Sequence, residues 1–249
     1  MHIMLVNDDG WHGEGLQVLA KAALAAGHRV TICAPDRQQS GAGHALSFDG
    51  ALKARRLGDM SAAPGWMVNG SPADCARMGV WLLREDRPDI VISGINYGSN
   101  IGAACVYSGT VAGAMEASMA GVPASAVSLD MGGRSKNGFG PAAVITLNFM
   151  QWALEHPLKT GEIYNLNVPD LPESEIKGIR KASLSNLNLG APHYSLHESE
   201  VSGSYYMFEM SDMPENADPD NDLDLLAQGW ATVTPLTWNC VCAMDGLNI

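Results

Sequence analysis

The chain begins with MHIMLVNDDGWHGEGLQVLAKAALAAGHRVTICAP, residues 1–35. Two short apolar runs in it, His2–Val6 and Val30–Ala34, have the length and composition of buried strands. Between them, apolar residues recur at helical spacing over Leu16–Leu24, and Gly27 stands where that helix would end. Because a strand, a helix and a second strand in this order form a βαβ unit, the stretch predicts a parallel sheet.

The alternation of strands and helices continues as far as residue 169. Ser71, followed by Pro72 and Asp74, is typical of a helix start, with Ser71 as the N-cap and Asp74 closing a capping box. Further strands are predicted at Asp89–Ser93, 123–130 and 162–169, and further helices at Thr110–Ala120 and Pro141–Glu155. The predicted fold is therefore α/β, a Rossmann-like, mostly parallel sheet with helices on both faces.

After Pro169, helical periodicity becomes scarce. Residues 204–210 and 230–236 have the pattern of strands, and the acidic stretch 213–224 is predicted to be a loop between them. We therefore divide the chain into a Rossmann-like core, 1–170, and a smaller C-terminal α+β extension with a β-hairpin, 171–249. The aromatic residues of the extension predict that it completes the core and forms an oligomerisation arm.

Composition excludes several classes of protein. The 249-residue chain has a formal net charge of −12, which argues against a long nucleic acid as partner, because such binding needs clustered Lys and Arg. A small phosphorylated ligand fits this charge if a cation intervenes. The five cysteines are odd in number and scattered, unlike a disulfide framework. Neither a membrane span nor a signal peptide is evident, so the expected location is the cytoplasm, away from membranes.

Polar, glycine-rich loops follow three of the predicted strands. Ligands of an open parallel sheet bind beyond the carboxyl ends of its strands, so these loops are predicted to meet at one edge. Their carboxylate, hydroxyl and amide oxygens form a ligand set that suits Mg²⁺ or Mn²⁺ better than Zn²⁺. Taken singly, each loop is more often a plain turn or a helix cap. The polar side chains are Asp8 and Asp9 after the first strand, Asp36, Arg37 and Ser40 after the second, and Asn96, Asn100 and Ser108 after Asp89–Ser93.

A candidate phosphate site precedes one of the predicted helices. Ser108, Gly109 and Thr110 lead into a first turn that carries no acidic residue. Free backbone amides and the positive end of the helix dipole favour an anion there. The alternative is that Ser108 or Thr110 only caps the helix.

Together these loops resemble the SurE family, stationary-phase survival proteins that act as metal-dependent nucleoside monophosphate phosphatases. The matching blocks occur in the right order between Met4 and about Pro169, with a looser match in DNDLDLLAQGWATVTPL at 220–236. The blocks are MLVNDDG at 4–10, APDRQQSGAG at 34–43, NGSPADC at 69–75, VISGINYGSNIG at 91–102, VYSGTVAGAMEA at 106–117 and NLNVP at 165–169.

The resemblance implies 5'- or 3'-nucleotidase activity, in some members with action on short polyphosphate, and a C-terminal extension used in homo-oligomers. It implies one divalent metal ion per subunit, Mg²⁺ or Mn²⁺, held by Asp8, Asp9, Ser40 and Asn96. It also places the block Tyr107–Thr110 at the border of the phosphate site.

On this basis we assign the remaining roles. Asp8 and Asp9 are the candidate catalytic residues. Either carboxylate can accept the proton of an attacking water or act as a nucleophile that forms an aspartyl-phosphate, and the sequence leaves open which one does. Asn100 and Tyr107 are the candidate substrate-binding residues. The three residues of the phosphate candidate steady the phosphoryl oxygens.

The chain departs from the family pattern at three places. It reads Gly13-Glu14-Gly15 where the family commonly has Ala-Pro-Gly, and it has Ala103 and Ala104 where the family commonly has acids. A late D-T-D block reads Asp220-Asn221-Asp222. None of these changes touches the four predicted metal ligands, so they bear on substrate preference.

The predicted function is a phosphomonoesterase that hydrolyses nucleoside monophosphates and assembles as a homodimer or homotetramer. Two alternatives stay open. A nucleotide-sugar transferase could hold a metal at similar loops, and it would transfer its substrate to an acceptor with little plain hydrolysis. A non-catalytic nucleotide sensor would bind nucleotide and release no phosphate, although the four intact metal-type side chains count against it.

Overall fold

A computed structural model describes residues 1–131, 135–186, 193–199, 203–209 and 218–239. In chain order, the helices and strands are β1 His2–Val6, α1 Glu14–Ala25, β2 Arg29–Pro35, β3 Ala54–Arg56, β4 Gly65–Val68, α2 Pro72–Leu82, β5 Ile90–Tyr97, α3 Ala104–Tyr107, α4 Gly109–Met119, β6 Ala124–Asp130, α5 Gly140–Glu155, β7 Glu162–Pro169, β8 Ile179–Lys181, β9 His193–Ser199, β10 Gly203–Glu209, α6 Asp222–Ala227 and β11 Ala231–Thr237.

Nine of the strands form one sheet in the order β3-β4-β2-β1-β5-β6-β7-β11-β8. From β4 to β7 every neighbouring pair is parallel, whereas β3 and β11 run antiparallel to β4 and β7. Side chains of β1 alternate between the two faces: Ile3 and Leu5 join the core beneath α1 and α5, and Met4 and Val6 join the core beneath α2 and α4. The mostly parallel sheet with helices on both faces confirms the predicted fold class.

The order of the strands fixes where a ligand can bind. The chain winds outward from β1 through β2 to β4, and it then resumes on the other side of β1 with β5, β6 and β7. Neighbouring strands β1 and β5 therefore form a topological switch point, and ligands of such a sheet bind beyond the carboxyl ends of the strands at this point. Asp8 and Asp9 follow β1 directly, and Asn96 lies near the end of β5.

Local sequence patterns correctly predicted the bounds of two strands and the start of one helix. The bounds of β1 and β7 are those predicted from their apolar runs. The capping box at the start of α2 is present, because Ser71 Oγ accepts from the Asp74 N–H at 3.0 Å and the Ser71 N–H donates to Asp74 Oδ2 at 3.0 Å.

The structure corrects the predicted end of β5. The strand does not stop at Ser93 but continues to Tyr97, with a register shift against β6 between Ser93 and Asn96. A Cβ at Gly94 would lie 2.2 Å from the Val127 carbonyl oxygen. The glycine therefore permits close packing against β6, and the register shift lies in the last part of the strand, next to the switch point.

Other elements were not predicted. Strands β3 and β4 and the short α3 lie where no element was expected, and the acidic stretch 213–224 is not a loop throughout, since α6 begins at Asp222. The Asn221 side chain caps α6 by accepting from the Asp224 N–H at 2.9 Å. Residues 213–217 of that stretch lie outside the described part of the chain.

The strands after residue 170 belong to two different sheets. Strands β11 and β8 continue the central sheet beyond β7, whereas β9 and β10 form a separate antiparallel hairpin. The division of the chain at residue 170 stays a prediction.

Cys33, Cys75 and Cys105 are buried free thiols, and Cys240 and Cys242 lie outside the described residues. In the part of the chain that the structure describes, every helix is too short or too polar to cross a bilayer.

Candidate active site

The turn after β1 presents two neighbouring aspartates at the carboxyl edge of the sheet. Asn7 is fully buried and its Nδ2 donates to the Gly10 carbonyl oxygen at 2.9 Å, which closes the turn. Gly10 has a φ of +91°, a backbone conformation that favours glycine. The turn is thus fixed from within, and the side chains of Asp8 and Asp9 are left to meet the neighbouring loops.

Asp8 is buried and joined to the first turn of α4. Its Oδ1 accepts a hydrogen bond of 2.6 Å from Thr110 Oγ1, and both residues are inaccessible or nearly so, at 5% and 0% exposure. Gly109 lies so close that a Cβ there would be 3.0 Å from the Asp8 Cβ and 3.5 Å from Oδ2. Burial raises the pKa of the Asp8 carboxyl, and the Thr110 hydrogen bond opposes that shift.

Asp9 is half-buried beside Asp8. Burial first, and then the charge of Asp8, raise the pKa of Asp9 to about 6, while a hydrogen bond from the backbone N–H of Tyr97 and the nearby His12 act in the opposite direction. The pair therefore carries negative charge where charge is unfavourable. Among the described residues, neither aspartate forms a salt bridge with Lys or Arg.

The donor chemistry of this turn fits a hard divalent cation. The carboxylates of Asp8 and Asp9 supply oxygen ligands, and Asn7 Oδ1 is a buried oxygen with no hydrogen-bond partner. Within the described ranges, no three His, Cys, Asp or Glu side chains are grouped as metal ligands would be. Further ligands would therefore have to be neutral oxygens, the type that Ser40 and Asn96 carry.

Ser40 lies in the loop that follows β2. The preceding residue, Gln39, donates its backbone N–H to the Asp8 carbonyl oxygen at 2.7 Å, so the loop is attached to the aspartate turn. Ser40 itself is exposed, and its Oγ accepts from Gln38 Nε2 at 2.9 Å.

Asn96 is half-buried near the end of β5, beyond the register shift. Its Nδ2 donates to the Gly98 carbonyl oxygen at 2.8 Å, which leaves the amide oxygen Oδ1 as its metal-type atom. The next residue, Tyr97, contacts Asp9 through its backbone N–H. The loops of Ser40 and Asn96 therefore each touch one of the two aspartates, as the sheet-edge argument requires.

The phosphate candidate lies at the start of α4. Ser108 Oγ accepts from the Val111 N–H at 3.0 Å, so this hydroxyl caps the helix, as the alternative interpretation held. The backbone N–H groups of Gly109 and Thr110 belong to the first turn of α4, whose N–H groups have no acceptor within that helix. An anion beside Asp8 would meet these amides.

The two substrate-binding candidates differ in placement. Tyr107 is half-exposed at the rim of the site, and its carbonyl oxygen accepts from the Gly43 N–H at 3.0 Å. Asn100 is buried, and its Nδ2 donates to Ser128 Oγ at 2.8 Å. Its contacts point into the protein, so they give no support to direct contact with substrate.

A buried polar network around Asn100 escaped the sequence analysis. The Asn100 carbonyl oxygen accepts from Asn165 Nδ2 at 2.8 Å and from Asn167 Nδ2 at 3.1 Å, and the Asn100 N–H donates to Asn167 Oδ1 at 2.8 Å. Two asparagines within the apolar run of β7 were the available signal, because buried amides need partners.

Asp222 was noted in the sequence only as part of a departure from the family pattern, and its contacts were not predicted. It is fully buried at the start of α6, where Oδ2 accepts from the Gly102 N–H at 3.0 Å and Oδ1 accepts from the Ser185 N–H at 2.8 Å. The C-terminal part of the chain thus holds the loop between β5 and α3. Of the three departures, Glu14 is exposed in the first turn of α1, and Ala103 and Ala104 are half-buried.

Comparison with known proteins identifies the family. A family model described as "Survival protein SurE" matches residues 3–190. A 5'/3'-nucleotidase SurE of Photorhabdus laumondii is 40% identical over 238 residues, which is 95% of this chain and 89% of the relative. A 5'/3'-nucleotidase SurE of Yersinia pseudotuberculosis is 40% identical over 236 residues, with the same coverage of 95% and 89%.

A solved structure gives the same result. The crystal structure of the SurE protein from Aquifex aeolicus superposes with a TM-score of 0.80 at 32% identity, covering 97% of this chain and 95% of that one. The family model, the curated relatives and the solved structure agree, and the chain belongs to the SurE family.

Proposed function

We propose that this protein is a divalent-metal-dependent phosphomonoesterase that hydrolyses nucleoside 5'- and 3'-monophosphates to nucleoside and phosphate. The observation that carries the proposal is the pair Asp8 and Asp9, two adjacent carboxylates at the topological switch point of the sheet with no Lys or Arg salt bridge among the described residues. Relatives named 5'/3'-nucleotidase at 40% identity over 95% of the chain support the reaction class.

Asp8, Asp9, Ser40 and Asn96 would hold one Mg²⁺ or Mn²⁺ per subunit. When bound, such an ion neutralises phosphoryl oxygens and lowers the pKa of a coordinated water.

Side chains and backbone groups of the protein would orient the carboxylate, accept the proton and bind the phosphate. Thr110 fixes one oxygen of Asp8 by the 2.6 Å hydrogen bond, which orients the carboxylate before substrate arrives. Asp9, the more exposed of the pair, would accept the proton of the attacking water at a carboxylate oxygen. The N–H groups of Gly109 and Thr110 donate to non-bridging phosphate oxygens, where negative charge is concentrated during transfer.

Substrate recognition lies at the rim. Tyr107 presents a half-exposed ring beside the phosphate site, a surface on which a nucleobase can stack. Asn100 contributes through the loop that it holds. Short polyphosphate belongs to the same proposal as a further substrate, because its terminal phosphate offers the same group to the site.

The test is phosphate release from a panel of nucleoside 5'- and 3'-monophosphates and short polyphosphate. We expect release with Mg²⁺ or Mn²⁺, none after EDTA treatment, and a loss of about a hundred- to ten-thousandfold in Asp9→Asn. Asp59→Asn, an exposed carboxylate elsewhere, is the matched control and keeps full activity. Undiminished activity with EDTA or in Asp9→Asn overturns the metal-dependent mechanism.

The same assay separates the alternatives. A nucleotide-sugar transferase would consume a nucleotide sugar only when an acceptor is present, and a sensor would bind nucleotide with no phosphate released. Either result, with no hydrolysis of the monophosphates, overturns the proposed function.

Self-association as a homodimer or homotetramer completes the proposal. A lone two-stranded hairpin is marginally stable in water, and β9–β10 exposes large apolar side chains that a second copy could cover. Sedimentation velocity of the full chain and of a variant with Tyr206→Ser and Met207→Ser tests this, and an unchanged monomeric species in both would contradict it. The exposed side chains are Tyr194, Leu196, Tyr205, Tyr206 and Met207.

A further inference from the structure

The loop that carries Ser40 has no regular structure of its own. Residues 36–53 connect β2 to β3 without helix or strand, and most of them are exposed. Connections of this length inside a compact domain are uncommon and are often functional. The position of Ser40 must therefore come from contacts that the loop makes with other elements.

The loop is attached on both sides of His44. Before it, the Gly43 N–H donates to the Tyr107 carbonyl oxygen at 3.0 Å. After it, Ser71 Oγ donates to the Ala45 carbonyl oxygen at 2.6 Å, and the Ser47 N–H donates to Asp74 Oδ1 at 2.9 Å. The later contacts belong to the start of α2, and the earlier one to the segment that precedes α4.

Between these attachments, His44 reaches a buried carboxylate. His44 Nε2 donates to Glu116 Oε1 at 2.7 Å, and the Glu116 side chain is 3% exposed. Arg77 of α2 donates to the other oxygen, Oε2, at 2.8 Å. A buried carboxylate needs charged or hydrogen-bonding partners, and His44 and Arg77 each supply one to Glu116.

Glu116 belongs to the helix that also holds Asp8. Thr110, in the first turn of α4, donates to Asp8, and Glu116 lies about two turns further along the same helix. One rigid helix therefore contacts the aspartate turn directly and the Ser40 loop through His44. Geometry of this kind can set the distance between two loops that are far apart in sequence.

We propose that Glu116 and His44 are positioning residues, which hold the Ser40 loop in register with Asp8 and Asp9. The consequence for metal binding rests on the proposed function, whereas the ordering of the loop does not. Arg77 pairs with the same carboxylate, and among the described residues no hydrogen bond or salt bridge joins Arg77 to the loop, so it provides a matched control.

The experiment uses the full chain and three variants. His44→Ala removes the donor to Glu116, and His44→Gln restores an N–H donor at about the reach of Nε2. Arg77→Met removes the other donor to Glu116. Hydrogen–deuterium exchange of peptides covering residues 37–43 is measured without metal, and Mn²⁺ affinity is measured by electron paramagnetic resonance without substrate.

In His44→Ala we expect exchange in residues 37–43 to accelerate roughly ten- to hundredfold, because a charge-assisted hydrogen bond no longer opposes opening. We expect Mn²⁺ affinity to fall about tenfold, as for partners that orient metal ligands. His44→Gln restores both to within about threefold of the unmodified protein. Arg77→Met lowers the melting temperature and leaves both measurements unchanged.

Unchanged exchange in His44→Ala overturns the inference, whatever the metal does. Faster exchange with unaltered Mn²⁺ affinity overturns the claim that the pair serves the metal site. If the unmodified protein binds no Mn²⁺, the metal-dependent function fails, and the exchange result still decides whether His44 and Glu116 order the loop.

Discussion

Thr110 and Asp8 are 102 residues apart in the chain and are joined by a hydrogen bond of 2.6 Å from the threonine hydroxyl to Asp8 Oδ1. The contact binds the first turn of α4 to the turn after β1, the two segments in which the phosphate and metal candidates lie. One carboxylate oxygen is thus committed to the protein, and the other is left for a ligand.

The first prediction concerns this hydroxyl. Thr110→Val keeps the shape of the side chain and removes the donor, so the Asp8 carboxylate loses its orientation. We expect kcat/KM for a nucleoside monophosphate to fall about 10- to 100-fold, the usual effect of removing a group that orients a metal ligand. Thr110→Ser keeps a hydroxyl and should retain most of the activity. Full activity in Thr110→Val would show that Asp8 needs no such support.

A second prediction follows from the crowding of the two carboxylates. Burial and the charge of Asp8 raise the pKa of Asp9 to about 6, so ionised Asp9 weakens the metal-free fold. Asp9→Asn keeps the shape and removes the charge. In EDTA at pH 7.5, we expect the melting temperature of this variant to rise by about 2–6 °C, which corresponds to roughly 1–2 kcal/mol for a partly exposed group.

Bound metal should reverse the order of the two melting temperatures, so that the unmodified protein melts above Asp9→Asn. Mn²⁺ stabilises only a protein that binds it, so the melting temperature of the unmodified protein should rise with Mn²⁺ concentration while that of Asp9→Asn stays constant. The exposed Asp59→Asn should behave like the unmodified protein in both conditions. A metal-free Asp9→Asn that melts below the unmodified protein would contradict the argument.

Elements with a local sequence pattern were predicted from the sequence, and elements that depend on distant contacts were not. Strand β1 and the cap Ser71 were predictable, because a buried parallel strand is a short apolar run and a capping box has fixed spacing. The extension of β5 past Gly94 was not, since only the approach of Val127 shows why the glycine is there. Likewise, α6 was not predicted, because it is only 6 residues long and begins within an acidic stretch.

The site was predictable in outline only. Topology brings loops that follow parallel strands to one edge, and this is why Asp8, Asp9 and Asn96 could be grouped from the sequence. The Thr110 hydroxyl on Asp8 could not be foreseen, because a hydrogen bond between distant segments leaves no periodic pattern in the sequence. The same holds for Glu116 and His44.

A third prediction concerns Asp222, which is fully buried and accepts from the backbone N–H groups of Gly102 and Ser185. In Asp222→Asn one acceptor becomes an NH₂ group, so one backbone N–H is left buried and unpaired. That loss costs about 1–3 kcal/mol and should lower the melting temperature by roughly 2–10 °C. Thermal unfolding followed by circular dichroism measures it.

Asp220 provides the control for Asp222. Its side chain is 62% exposed and pairs with Arg180 at 3.1 Å on the surface. Asp220→Asn should therefore change the melting temperature by no more than about 2 °C, since exposed ion pairs contribute little. Equal effects in the two variants would show that burial of Asp222 is not what matters.

A fourth prediction concerns His2, a buried histidine. It is the first residue of β1, at the opposite end of that strand from Asp8 and Asp9. Its Nε2 lies 2.9 Å from Thr31 Oγ1, and its Nδ1 lies 3.1 Å from the Asp86 carbonyl oxygen. Burial first, and then the charge of Arg29, lower the pKa of His2 below its ordinary value of 6.5, against the opposing influence of Asp86 and Asp89. The folded protein therefore holds His2 neutral at a pH where the unfolded chain already protonates it.

The sign of the effect on stability follows from this difference. Below pH 6.5 the unfolded state binds more protons at His2 than the folded state does, so the free energy of unfolding falls as the pH falls. His2→Gln removes the titrating group and keeps a side chain able to hydrogen-bond with Thr31. Urea unfolding between pH 7.5 and 5.5 should show a steeper loss of stability for the unmodified protein than for this variant. Parallel pH profiles would mean that His2 is protonated as readily in the folded chain as in the unfolded one.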